Sequence, residues 1–138
     1  MNTVNPLPQV PKSHTTQIRV RYQETDAQGH VHHGNYVNYF EIGRVEMLRN
    51  SGVSYREFEE MGLMLVVVQL NCDYIKPAKY DDLLDLTTTV VRAKGVRITH
   101  QYEISTQGEV VVKGETTVAC LNQDGKVTRL PDWLQMDV

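Results

Sequence analysis

From Leu63 to Leu121 the chain carries four strand-like runs separated only by short turns, and this succession constrains the fold more than any other feature. "LMLVVVQLNCDYI" (63–75) is too short and too rich in β-branched residues to favour a helix. "LLDLTTTVVR", "VRITHQYEIS" and "EVVVKGETTVACL" follow at short intervals. The middle run alternates, with Val96, Ile98, His100, Tyr102 and Ile104 against Arg97, Thr99, Gln101, Glu103 and Ser105, the pattern of a half-buried strand. "KPAKYDD" reads as a turn, and the connectors "AKG" and "TQG" are short and glycine-bearing, which favours antiparallel hairpins. Upstream, "TQIRVRYQ" also alternates. It predicts a strand with Ile18, Val20 and Tyr22 inward and Arg19 and Arg21 outward.

Between the first strand and the rest lies one long helix. Asn35 offers a side-chain oxygen suited to an N-cap. Tyr36, Phe40, Gly43 and Met47 then recur at helical spacing as an apolar stripe, widened by Val37 and Leu48. Glu41 and Glu46 fall on the opposite face, where Arg44 is placed to pair with Glu41. Asn50, Ser51 and Gly52 end this helix. A shorter one over 55–61 follows Ser54, with Glu57 completing a capping box. The order β-α-β-β-β-β predicts an α+β domain, a central helix lying in a curled antiparallel sheet of about five strands. The domain spans 16–138. Residues 1–15, with Pro6, Pro8 and Pro11 and no periodicity, read as a flexible N-terminal arm.

The 138 residues suffice for one buried core. A net charge of −3 gives no global field for a nucleic acid backbone, so no nucleic-acid partner is expected. The apolar run 63–70 is far too short to insert into a membrane. Cys72 and Cys120 lack metal or redox spacing and read as small buried hydrophobes. With no disulfide framework and no secretory start, the expected compartment is the cytoplasm.

"ETDAQGHVHHGNYVNYFEIGR" (24–44) concentrates the chemistry. Imidazoles at His30, His32 and His33 beside Asp26 raise the idea of a metal. Neighbours in an extended loop point apart, however, so His32 and His33 are poorly placed for one ion, and no metal is expected. Asp26, Gly29, Gly34 and Asn35 are also ordinary turn residues. The combination says more. A carboxylate follows a strand and shortly precedes a long helix, whose first-turn N–H groups are unpaired and carry partial positive charge. Such amides stabilise an oxyanion, and a nearby aspartate can attack a carbonyl or deprotonate water. That is the minimal apparatus for acyl transfer to water.

"RYQETDAQGHVHHGNYVNYFEIGRVEMLRNSG" resembles the signature of the hot-dog-fold acyl-CoA thioesterases. The branch is that of hydroxybenzoyl-CoA thioesterase and the YbgC-like, Tol–Pal-associated enzymes. The resemblance runs from about Thr16 to Leu121 and is most specific at T-D-x-x-G-x-V-x-H-x-x-Y. It implies a hot-dog fold that hydrolyses acyl-CoA, with Asp26 as base or nucleophile. It also implies roles for Tyr22 and His33 in positioning, and a helix-start amide at or next to His33. Gly34, Asn35 and Tyr36 would line the acyl site. A histidine at position 33 points to the YbgC-like branch. His30 and His32 match no family role, and His32 stands near a position where an aromatic is common.

The substrate's phosphates need cations, and Arg92, Lys94 and Arg97 cluster at "VRAKGVR". Coenzyme A is part of the substrate, so no cofactor is expected. The resemblance further implies a homodimer or homotetramer with sites between subunits. Rival readings are an acyl-carrier-protein thioesterase, a hot-dog dehydratase using an acid from the helix such as Glu41, and a non-catalytic acyl-CoA-binding module.

Overall fold

The computed structural model describes residues 8–136, so residues 1–7 of the expected arm and the last two residues of the chain lie outside the description. Five strands form one antiparallel sheet: β1 (Ser13–Arg19), β2 (Met64–Tyr74), β3 (Leu83–Lys94), β4 (Arg97–Thr106) and β5 (Glu109–Leu121). Their spatial order is β1-β3-β4-β5-β2, which leaves β1 and β2 as the edges. The hairpins turn where the glycines were expected to allow it. Gly95 and Gly108 both have positive φ (67° and 77°), a region closed to most side chains. Register shifts after Val67, Val90 and Ile104 add twist.

The helix α1 (Asn35–Asn50) lies against β1, β3 and β4 and buries Tyr36, Tyr39, Phe40, Gly43, Met47 and Leu48. The apolar stripe is therefore the packed face, with Tyr39 on it as well. Gly43 is where helix and sheet come closest, because an added Cβ would collide with the Thr88 hydroxyl and press on Leu86. Gly114 of β5 likewise leaves room for the Phe40 ring, which stacks on Tyr102 at 4.2 Å between centroids. A second helix, α2 (Tyr55–Glu60), carries the expected box: the Glu57 N–H donates to Ser54 Oγ at 3.1 Å and the Ser54 N–H returns to Glu57 Oε1.

The core has two parts. One surrounds Phe40, Leu84, Leu86 and Ile104 near the start of α1; the other surrounds Met47, Phe58, Ile98 and Leu130 near its end. Between them runs a buried polar band of Thr88, His100, the Tyr102 hydroxyl and Thr116.

Two boundaries differ from the sequence reading. The strand β1 begins at Ser13, inside the stretch expected as arm, and Val10 packs on the second core while the Lys12 carbonyl accepts from Val90. At its other end β1 stops at Arg19. Val20 exchanges hydrogen bonds with Asp81 and Asp82 just before β3 begins, so no strand remains for residues 21–23 to pair with. Tyr22 is consequently not the last inward residue of a strand. It sits in a 3-10 turn, 78% exposed, edge-on to Tyr80.

Candidate active site

Asp26 sits near the tip of a small hairpin built from residues 24–32. The Asp26 N–H donates to the His30 carbonyl (2.7 Å), Thr25 pairs with Val31, and the His32 N–H donates to the Glu24 carbonyl (2.9 Å). Gly29 turns the tip at φ 79°. Asp26 Oδ1 accepts from the N–H groups of Gln28 (2.9 Å) and His30 (3.2 Å), which fixes the side chain over its own turn. Among the described residues Oδ2 has no hydrogen-bond partner, so one carboxylate oxygen is held and the other is left unpaired.

Two anchors fix this hairpin. Val31 donates to the Ala78 carbonyl and His30 bridges to Lys79, tying it to the turn before β3. Glu24 ties it to the helix. Its carboxylate is only 9% exposed and accepts from the Arg21 N–H and guanidinium and from the Tyr39 hydroxyl of α1 at 2.9 Å. Burial, then the bond to Glu24, raises the Tyr39 pKa, so the phenol stays a donor.

Beyond the hairpin the chain turns directly into α1, and here His32 acts as a cap. Its Nδ1 accepts from the Gly34 N–H (3.0 Å) and its carbonyl accepts from the Asn35 N–H (2.8 Å). Gly34, not Asn35, is the N-cap residue. Asn35 is the first helical residue; its side-chain carbonyl accepts from Asn38, while its side-chain Nδ2 is buried with no partner among the described residues. The His32 and His33 rings stack at 4.3 Å instead of pointing apart, because residues 33 and 34 form a turn where an extended loop was expected. The His33 carbonyl accepts from the Tyr74 hydroxyl (2.8 Å), while its N–H makes no hydrogen bond among the described residues. Of the amides at His33, Gly34 and Asn35, the one at His33 is thus the donor left open. His33 and Gly34 are exposed, whereas Tyr36 is 2% exposed and belongs to the core.

The cationic hairpin lies elsewhere. Arg92, Lys94 and Arg97 do gather at the β3–β4 turn, where Lys94 faces Arg97. But the end of β1 that leads to Asp26 pairs with Leu83, and the nine residues from there to Arg92 span roughly 30 Å. One chain does not bring these cations to Asp26. Glu41 is exposed on α1 with no ion pair to Arg44 among the described residues; Arg44 instead donates to the Tyr102 hydroxyl at 3.1 Å. The helix turns Arg44 toward the buried polar band, which offers it a neutral acceptor.

The sequence reading missed Glu24, Tyr39, Tyr74 and the capping function of His32. Glu24 and Tyr39 are fifteen residues apart and meet only in the fold, and the Tyr74–His33 bond joins an edge strand to a loop. Only His32 left a local trace, as a side-chain acceptor two residues before a helix-start amide.

A family model for the thioesterase-like superfamily matches residues 20–138. The chain belongs to this superfamily. It is 37% identical over 106 residues to the acyl-CoA thioesterase YbgC of Haemophilus influenzae, covering 76% of this chain and 78% of that one. It is 29% identical over 109 residues to the long-chain acyl-CoA thioesterase FadM of Escherichia coli, covering 78% and 82%. Among solved structures, the DHNA-CoA thioesterase of Staphylococcus aureus superposes with a TM-score of 0.83 at 34% identity, covering 86% of this chain and 80% of that one. The fold of this superfamily member is the hot-dog fold, with its central helix in a curled five-stranded sheet.

Proposed function

We propose that Asp26 carries the chemistry of this acyl-CoA thioesterase. The thioester carbonyl oxygen lies against the open His33 N–H, and the free Oδ2 of Asp26 faces the carbonyl carbon. As general base, Asp26 takes a proton from water as the water oxygen attacks. The oxyanion that forms is held by the amide, and its collapse breaks the carbon–sulfur bond. The thiolate of coenzyme A leaves and is protonated, and the acid is released. As nucleophile, the same oxygen would form an anhydride that water then opens. Both routes use the same two groups. The observation that supports the reading is the pairing of an unpartnered carboxylate oxygen with an unpartnered amide at the two ends of one short, anchored segment. Tyr22 and the His33 ring, both exposed, would border the acyl group with Gly34, and Tyr36 would back it from the core.

We further propose that the working unit is at least a homodimer. Asp26 and His33 line neither of the two cavities described for the single chain. The edge strand β2 exposes Val67, Val68, Leu70 and Tyr74, and Asp73 is its one charged residue, so nothing blocks pairing with a second copy. A second copy would roof the site and could bring its own Arg92, Lys94 and Arg97 to the phosphates. We place the reaction in the cytoplasm, in keeping with two free cysteines. No helix among the described residues is long and apolar enough to cross a membrane.

The test is thiol release from a panel of acyl-CoA esters. Asp26→Asn should lose at least about a hundredfold in turnover, the usual minimum for removing a positioned base. Near-normal hydrolysis would overturn the assignment.

A further inference from the structure

The second half of α1 covers a cavity of about 100 Å³ that the proposed reaction does not use. Met47, Leu48, Val90, Ala93, Ile98 and Leu134 form its apolar walls, and Glu41 and Arg44 also line it. His100 and Arg44 both line this space. His100 is 6% exposed, lines the cavity and makes no side-chain hydrogen bond among the described residues, leaving a buried Nδ1 unsatisfied. Arg44 is half-buried, and its one hydrogen bond goes to the Tyr102 hydroxyl with no carboxylate in ion-pair range among the described residues. A cation without a counter-charge beside an imidazole without a partner calls for an anion that also accepts a hydrogen bond.

Size and lining restrict the rest of the ligand. The space is small and its walls are mostly apolar, so it suits a short aliphatic chain. We propose that this cavity is a binding site for a short-chain aliphatic carboxylate, with the carboxylate on Arg44 and His100 and the chain against Val90, Ala93 and Ile98. Glu41 is exposed to solvent, so its charge is screened, whereas that of Arg44 is held partly out of water. Burial, followed by the Arg44 charge, lowers the His100 pKa to about 3 and keeps the imidazole neutral. Nδ1 is closed off from the space, so the tautomer that donates to the carboxylate is the one with Nε2–H. The packed cluster around Phe40 and Tyr102 separates this cavity from the Asp26 end, so the site stands apart from the proposed reaction centre.

The experiment titrates butanoate into the full chain and follows the histidine imidazole resonances by NMR, with 1-butanol and butylammonium as matched controls. The expected result is a saturable shift of the His100 signal with butanoate alone. Arg44→Met should weaken binding by about tenfold or more, as befits a lost charge-assisted bond. Ala93→Leu, which fills the cavity, should abolish it, and Asp26→Asn should leave it unchanged. Three results would overturn the proposal: no saturable shift at His100, 1-butanol binding as well as butanoate, or loss of binding in Asp26→Asn, which would put the acid in the reaction centre. Should Arg44→Met fail to fold, the comparison of butanoate with 1-butanol in the unaltered protein still decides.

Discussion

Asp26 and the amide of His33 owe their availability to neighbouring residues. Asp26 is steady because Oδ1 is committed to two backbone N–H groups, and the His33 amide is open because His32 satisfies the next two. Below them, Glu24 and Tyr39 fasten the hairpin to the helix. Removing the phenol oxygen in Tyr39→Phe leaves a nearly buried carboxylate one donor short. This should cost about 1–3 kcal/mol, read from denaturant unfolding, together with a fall in turnover and little change in KM. Unchanged stability and turnover would show that the anchor is idle. The sequence made Asp26 and the helix start visible because turn residues and an apolar stripe are local signals. It could not reveal Glu24–Tyr39, a contact created by the fold, and it credited Asn35 with a capping role that Gly34 and His32 perform.

At the scale of elements, the helix and sheet meet through small residues. Gly43 lets α1 settle onto Thr88 and Leu86, and Gly114 admits Phe40. Gly43→Ala should therefore destabilise the fold by about 1–3 kcal/mol, as overpacking does, despite alanine's better helix propensity. A thermal melt that rises instead would show the contact to be slack. The strands were legible because alternation reports which face is buried, and His100 and Tyr102 point inward as their positions implied. The end of β1 was not legible. Ile18, Val20 and Tyr22 alternate without fault, yet a strand lasts only as long as its partner, and β3 begins at Leu83. The cations of the β3–β4 hairpin were placed together correctly, but their distance from Asp26 depends on strand register, which spacing alone does not encode.

For the whole molecule, two features set behaviour beyond the single chain and beyond neutral pH. The exposed edge of β2 should pair copies of the chain, so Leu70→Lys should shift sedimentation toward the monomer and lose thiol release with it. A fully active monomer would refute the shared site. The second feature is the polar band. His100 stays neutral in the folded chain with a pKa near 3, through burial first and the Arg44 charge second, while the unfolded chain protonates near the ordinary ~6.5. Between these values the unfolded state binds more protons, so stability falls as pH drops. Unfolding free energies from about pH 7 to about pH 4 should fall with a slope approaching 1.4 kcal/mol per unit, a component missing in His100→Phe.

In the proposed reaction a carboxylate and a backbone amide, set at the two ends of one anchored loop, perform acyl transfer to water. Its most direct measurement is kcat for Asp26→Asn on the best acyl-CoA ester of the panel, taken on protein whose melting temperature and assembly match the unaltered chain. Asp26 as base or nucleophile requires a loss of about two orders of magnitude or more in kcat with KM little changed. A kcat within a few fold of the unaltered enzyme would contradict it.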